Sequence, residues 1–131
     1  QSIAGTTISF IGEVSDKKLR DLYASAKAVI FPQEEDFGLV PLEAQAAGTP
    51  VLAFATGGAL ETVINQQTGL FFDKQNKDSI IEAINRFEEG KHRITRQKCR
   101  KQAERFNENR FISNFSAKVN SLWQQHMKNL S

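Results

Sequence analysis

One cysteine, one methionine, one tryptophan and one tyrosine stand in 131 residues, with only two histidines. The lone Cys99 has no internal disulfide partner, so no cross-link frames the fold and the chain suits a reducing compartment. It sits among basic residues without an adjacent base, which leaves it as an ordinary packing residue. His92 and His126 lie in no metal-ligand spacing and read as solvent-facing, so no metal is expected. Apolar runs stop at four or five residues, well short of the ~20 that a membrane-spanning helix needs. The opening Gln1-Ser2-Ile3-Ala4-Gly5 has neither a basic region nor a long apolar one, so no secretory leader reads there.

What remains is ordinary for one globular domain with one core: 40% apolar residues and 24% charged ones. The whole chain, residues 1–131, reads as a single domain, an α/β core over 7–90 followed by carboxyl-terminal helices over 91–131. Charge divides along the same line. Residues 1–90 hold 7 Lys/Arg against 13 Asp/Glu, and residues 91–131 hold 10 against 2, giving −6 and +8. A basic tail of this kind suits an anionic lipid surface, a polyanion or another domain of the same enzyme.

Hydrophobic periodicity places the elements. Ile8-Ser9-Phe10-Ile11 reads as a strand that turns at Gly12, and Ser15 can cap a helix with Leu19, Leu22, Tyr23 and Ala26 on its buried stripe. Ala28-Val29-Ile30-Phe31 and Val51-Leu52-Ala53-Phe54 read as strands apolar on both faces, as a sheet covered by helices requires. A short helix over 59–64 follows Gly57-Gly58, and Leu70-Phe71-Phe72 forms a fourth strand. Asn76 or Asp78 can cap the next helix, with Ile80, Ile81, Ile84 and Phe87 inward and a stop near Gly90. A basic helix spans 94–106. A last helix carries Phe111, Phe115, Val119, Leu122 and Trp123 on one stripe, which either packs on the sheet, the stronger expectation, or is shared with a missing partner. The order βαβαβαβ followed by helices is that of a parallel α/β domain.

The chain is organised around residues 35–50, Glu-Asp-Phe-Gly-Leu-Val-Pro-Leu-Glu-Ala-Gln-Ala-Ala-Gly-Thr-Pro, which join two of these strands through an acidic loop and a short helix. Pro41 suits the first helical turn, and Gly48 with Pro50 suits its end. Such a loop lies at the carboxyl end of a parallel strand, where open α/β sheets bind ligands. In isolation Glu35 and Glu43 are acids near a helix N-terminus, a placement worth roughly 0.3–1 kcal/mol each and in need of no function.

The string as a whole resembles the carboxyl-terminal domain of glycosyltransferase family 4, the glycosyl transferases group 1. The likeness rests on Glu-x-Phe-Gly-Leu-x-Pro-Leu-Glu-Ala from Glu35, then Ala47-Gly48-Thr49-Pro50-Val51, with two glutamates separated by seven residues. Phe10-Ile11-Gly12, Leu19-Arg20-Asp21-Leu22-Tyr23, Gly57-Gly58-Ala59-Leu60-Glu61-Thr62-Val63 and Thr68-Gly69-Leu70-Phe71-Phe72 extend it over about residues 7–115. Within the family, residues 32–38 with Glu43-Ala44-Gln45-Ala46 are most similar to bacterial mannosyltransferases that use GDP-mannose. The resemblance implies a partial doubly wound, Rossmann-like sheet of GT-B type. It also implies a retaining enzyme of polysaccharide biosynthesis that moves a hexosyl group from a nucleotide sugar to a glycan or lipid-linked acceptor, without a metal or other cofactor.

It further implies roles. Glu35, the catalytic candidate, contacts hydroxyls of the transferred sugar, near the amides of Phe37 and Gly38. Amides from Gly38 through Leu39 and Val40 face the diphosphate, and Glu43 holds the ribose. Carboxylates suit both tasks because each accepts several hydroxyl hydrogen bonds. Glu34 and Asp36 are alternatives to Glu35 that break the family spacing. Gly57 and Gly58 either line the donor cleft or form a turn that needs permissive dihedrals, and Glu61 either matches a family position or caps a helix.

The family's domain normally carries two further strands upstream, with an Arg/Lys pair that clamps the diphosphate, and a separate acceptor domain. Neither reads here, so the chain is expected to be a fragment, a truncated gene product or one half of a split enzyme, inactive alone, whose missing half is a partner. In the order 3-2-1-4-5-6 the strands over 8–11 and 28–31 are not neighbours. Either the first moves against the second, or a partner, a second copy included, covers that edge. The expected location is cytoplasmic, at most peripheral to the inner membrane, with no nucleic-acid partner. Two rivals differ in class: a non-catalytic module whose basic tail docks on anionic lipid or a partner domain, and a sugar-epimerase-like domain, against which the lack of Gly-x-Gly-x-x-Gly after a strand speaks.

Overall fold

The computed structural model describes residues 5–130. Residues 1–4, on which most of the leader reading rests, and Ser131 lie outside them. Three parallel strands form the sheet: β1 (Val29–Phe31), β2 (Val51–Phe54) and β3 (Gly69–Phe72), in the order β1-β2-β3. Val51 stands level with Val29 on one side and Gly69 on the other. Helix α1 (Asp16–Ser25) precedes the sheet, α2 (Leu39–Ala46) and the single turn α3 (Ala59–Thr62) make the crossovers, and α4 (Lys77–Glu88), α5 (Arg96–Glu104) and α6 (Glu108–Leu130) follow.

Side chains alternate across the strands, so each face collects its own set. Phe31, Val51 and Ala53 meet Ala44 of α2, Ala59 of α3 and Val63, with Tyr23 of α1 packed alongside. On the opposite face Leu52, Leu70 and Phe72 are buried, and α4 lies against β3. The caps are those the residue types favour: Ser15 Oγ accepts from the Lys18 amide at 3.2 Å and Asn76 Oδ1 from the Ser79 amide at 2.9 Å. Asn76, not Asp78, is therefore the cap of α4.

The basic helix α5 packs along α2 rather than standing free. Arg96 donates to the Gly48 carbonyl at 3.3 Å and to the Ala24 carbonyl, and the Arg100 guanidinium lies over Gly48. Cations thus meet the open carbonyls at the ends of α1 and α2, where the helix dipole favours them. Two of the tail's ten cations, Arg96 and Arg100, help hold the domain together in this way.

Several expectations are corrected. Residues 8–11 form no strand; Ile8, Phe10 and Ile11 are exposed, because a parallel strand exists only with a ladder partner and β1 pairs with β2 alone among the described residues. The sheet therefore has three strands, not four. Its faces are not wholly covered: Ile30 is 44% exposed, since α4 lies over β3 at the other edge. Within α4 Ser79 and Ala83 are buried and Ile80, Ile84 and Phe87 half-buried, while Ile81 is exposed. The short helix ends at Thr62, not at 64. His92 is half-buried, stacked on Phe87 at 5.1 Å and bonded to the Phe87 carbonyl, not solvent-facing.

The largest correction is α6. Its apolar stripe is not packed on the sheet and no residue of it is buried: Phe111 is 66% exposed and Trp123 63%. Helical periodicity shows that one side is apolar but not what that side meets.

Cys99 lies in α5 with no exposed surface, its Sγ 3.7 Å from the Thr68 carbonyl. Burial, only partly opposed by Arg96 and Arg100, pushes the thiol up from 9.0 to about 11. The unfolded thiol therefore loses its proton first, and the folded state holds more protons between those values. Stability is expected to fall as pH rises from about 9 to about 11, and Cys99→Ala should flatten that fall in thermal melts across the window.

Candidate functional site

The carboxyl ends of all three strands open on one edge, and the acidic loop over 32–38 leaves β1 there. Three contacts fix its main chain. The Gln75 side-chain amide donates to the Pro32 carbonyl at 2.8 Å, and the Gly58 amide donates to the Glu35 carbonyl at 2.7 Å. The third is steric. A Cβ built on Gly58 would stand 2.2 Å from the Phe37 carbonyl oxygen, and one on Gly57 2.4 Å from that of Glu35. Only glycine lets the β2–α3 turn come this close, and Gly57 also needs its positive φ of 54°. The two glycines clamp the loop from behind.

Gly38 ends the loop with φ 74° and opens α2. No side chain caps this helix, and Pro41 brings no N–H. The amides at Leu39 and Val40 therefore have no partner within the helix and remain for an external acceptor. The Leu39 side chain is exposed, Val40 half-buried and Gly38 buried.

Both glutamates are exposed and each has one neutral donor. Gln33 Nε2 donates to Glu35 Oε1 at 2.6 Å, and the Tyr23 hydroxyl to Glu43 Oε2 at 3.2 Å. Burial above all, then the charge and hydrogen bond of Glu43, raise the Tyr23 phenol above its ordinary 10.0, so it stays protonated as a donor at neutral pH. The ion pairs Lys27–Glu88 and Lys91–Glu89 involve none of Glu34, Glu35, Asp36 and Glu43. Glu61, in the first turn of α3, provides no cap, since that helix has no side-chain cap.

Two open grooves flank the loop-helix unit. One, of about 530 Å³ between α1 and α2, is lined by Leu19, Arg20, Tyr23, Glu43 and Ala47 among others. The other, of about 860 Å³, is lined by Phe37, Phe106, Phe111 and Phe115 with Arg105 and Lys118, and Phe37 meets Phe106 edge to face at 6.1 Å. Neither contains Glu35, so the structure does not gather Glu35 and Glu43 into one enclosed cavity.

Sequence reasoning missed the supporting side chains. Gln33, within residues 32–38, carried no expected role, and Tyr23 read as part of a buried stripe and of the family-like Leu19–Tyr23 string. Buried Gln45 and Gln102 had no visible signal: both donate to the Thr62 carbonyl, tying α2, α3 and α5 together under the site.

Residues 3–106 match the family described as glycosyl transferases group 1. The chain belongs to that family. It is 40% identical over 80 residues to an uncharacterized glycosyltransferase of Methanocaldococcus jannaschii, covering 60% of this chain and 20% of that protein. It is 38% identical over 88 residues to an alpha-1,3/1,6-mannosyltransferase of Homo sapiens, covering 66% of this chain and 21% of that one. Among solved structures it resembles sucrose-phosphate synthase from Thermosynechococcus elongatus, with a TM-score of 0.71 and 31% identity over 92% of this chain and 30% of that one. The fold is that of the carboxyl-terminal domain of a GT-B glycosyltransferase. The chain spans about a fifth of the length of these curated relatives. The family match ends at Phe106, just before α6.

The glycine clamp gives a direct expectation. Gly58→Ala must displace the Phe37 main chain and should cost about 1–3 kcal/mol in denaturant unfolding. Gly5→Ala, where a Cβ meets nothing within 4 Å, should stay within about 0.5 kcal/mol. Equal effects of the two would contradict the clamp.

Proposed function

We propose that this chain supplies the donor-binding part of a retaining, family 4 hexosyltransferase, with GDP-mannose as its nucleotide sugar. One observation carries the reading: Glu35 and Glu43 flank an uncapped helix N-terminus that starts at Gly38, on a loop held rigid from behind. The mannosyltransferase among the relatives and the string over 32–38 support the choice of sugar.

As the glycosidic bond breaks, negative charge grows on the diphosphate leaving group. Amides at Leu39 and Val40 and the positive end of α2 are aimed where that charge develops, and they need no reorganisation to meet it. Gly38 keeps side-chain bulk out of the approach. Glu35, oriented by Gln33, accepts from hydroxyls of the transferred sugar and places its anomeric carbon, with the Phe37 and Gly38 amides beside it. Glu43 accepts from the ribose hydroxyls. Gly57 and Gly58 act by holding the loop rather than by touching the donor.

Four carboxylates around an anion site repel a diphosphate unless cations answer them. The answering clamp and the glycan or lipid-linked acceptor belong to the remainder of such a cytoplasmic enzyme, or to a partner chain. The free edge of β1 is where that remainder, or a second copy, would pair. The pure chain should release no GDP from GDP-mannose, and measurable turnover would contradict the half-site.

The roles of the glutamates are tested by NMR titration of the chain with GDP-mannose and with GDP. Glu35→Gln should weaken GDP-mannose roughly tenfold and GDP hardly at all, the scale of a lost hydrogen bond to a charged group. Equal weakening of both ligands, or of neither, would refute the sugar contact.

A further inference from the structure

We infer that Tyr23 is a positioning residue for the nucleoside half of the donor, acting through Glu43; this rests on the reading of Glu43 as the ribose holder. Tyr23 is the only tyrosine in the chain and lies 20 residues upstream of Glu43, on a different helix. Its half-buried ring packs against the core at the junction of α1 and α2 and lines the surface groove, where its hydroxyl donates to Glu43 Oε2 at 3.2 Å.

The placement has a chemical consequence. An exposed glutamate on a helix samples several rotamers, and each must be given up when two vicinal hydroxyls are bound. A phenol held by the core removes that freedom beforehand. It occupies one acceptor position on Oε2 and leaves the rest of the carboxylate for a cis-diol. The phenol is neutral, so it orients Glu43 without tying up the carboxylate in an ion pair, as an Arg or Lys partner would. Its backbone is fixed independently, since the Thr49 hydroxyl donates to the Tyr23 carbonyl. The α1–α2 groove, which Tyr23 and Glu43 both line, is therefore the nucleoside side of the site. Glu35, outside that groove, is the sugar side.

The test uses the full 131-residue chain and four probes: GDP, UDP and the 2′,3′-dideoxy form of each, titrated by NMR. The two bases keep the outcome independent of base preference. Tyr23→Phe keeps the ring in the core and removes only the hydroxyl. It should weaken the better-bound diphosphate about three- to tenfold, leave its dideoxy form unchanged, and add nothing in a Glu43→Gln background. Equal weakening of ribo and dideoxy forms would show a merely structural tyrosine and overturn the proposal. So would an undiminished effect of Tyr23→Phe when Glu43 is already Gln. If Glu43→Gln abolishes the preference for the ribo form while Tyr23→Phe does nothing, the proposal fails and the ribose reading stands. If neither variant changes that preference, or no probe binds, both fail.

Discussion

The site depends on a contact between two stretches of main chain. The β2–α3 turn, at Gly57 and Gly58, lies so close to the Glu35–Phe37 backbone that no Cβ fits between them. The Gly58 amide closes the contact with a 2.7 Å bond to the Glu35 carbonyl. Because the turn rides on β2, at the centre of the sheet, the loop inherits the rigidity of the core. A loop held by side chains would leave the start of α2 free to fray, and an anion cradle works only if its amides already point the right way. Gln75 from the β3–α4 connection adds a second anchor, so all three strands contribute to one loop.

Electrostatics divide the molecule in two. On the functional edge, exposed carboxylates gather around an uncapped helix N-terminus and their donors are neutral: Gln33 for Glu35 and Tyr23 for Glu43. Elsewhere, α5 sets Arg96 and Arg100 on the open ends of α1 and α2. Cations on α5 thus serve as structural closures, and among the described residues none forms an ion pair with Glu34, Glu35, Asp36 or Glu43. Exposed Ile30 at the sheet edge and the bare apolar side of α6 agree with a surface made to be covered.

The strands β1, β2 and β3 and the helix between the first two were legible because short apolar runs bounded by proline and glycine admit few alternatives. The spacing of Glu35 and Glu43 marked the site for the same reason: the helix start between them is set by Gly38 and Pro41. What stayed hidden depends on tertiary partners. Residues 8–11 carry a strand's pattern but, among the described residues, no neighbour to pair with, and α6 carries an amphipathic stripe whose counterpart is not among them either. The close approach of Gly57 and Gly58 could not be told from an ordinary turn, since a glycine pair looks the same whether it faces solvent or backbone. Tyr23 and Glu43 meet only because α1 packs on α2, a fact absent from either helix alone.

Amide hydrogen exchange at Gly58, in the unaltered chain, tests the central contact most directly. Its N–H is not part of any helix or strand ladder, and the acceptor that holds it is the Glu35 carbonyl. The account predicts exchange within about an order of magnitude of the β2 ladder amides, as for a group that opens only with the core. Exchange at the rate of an unprotected peptide would show a loop that merely rests on the sheet, and would contradict a preformed cradle.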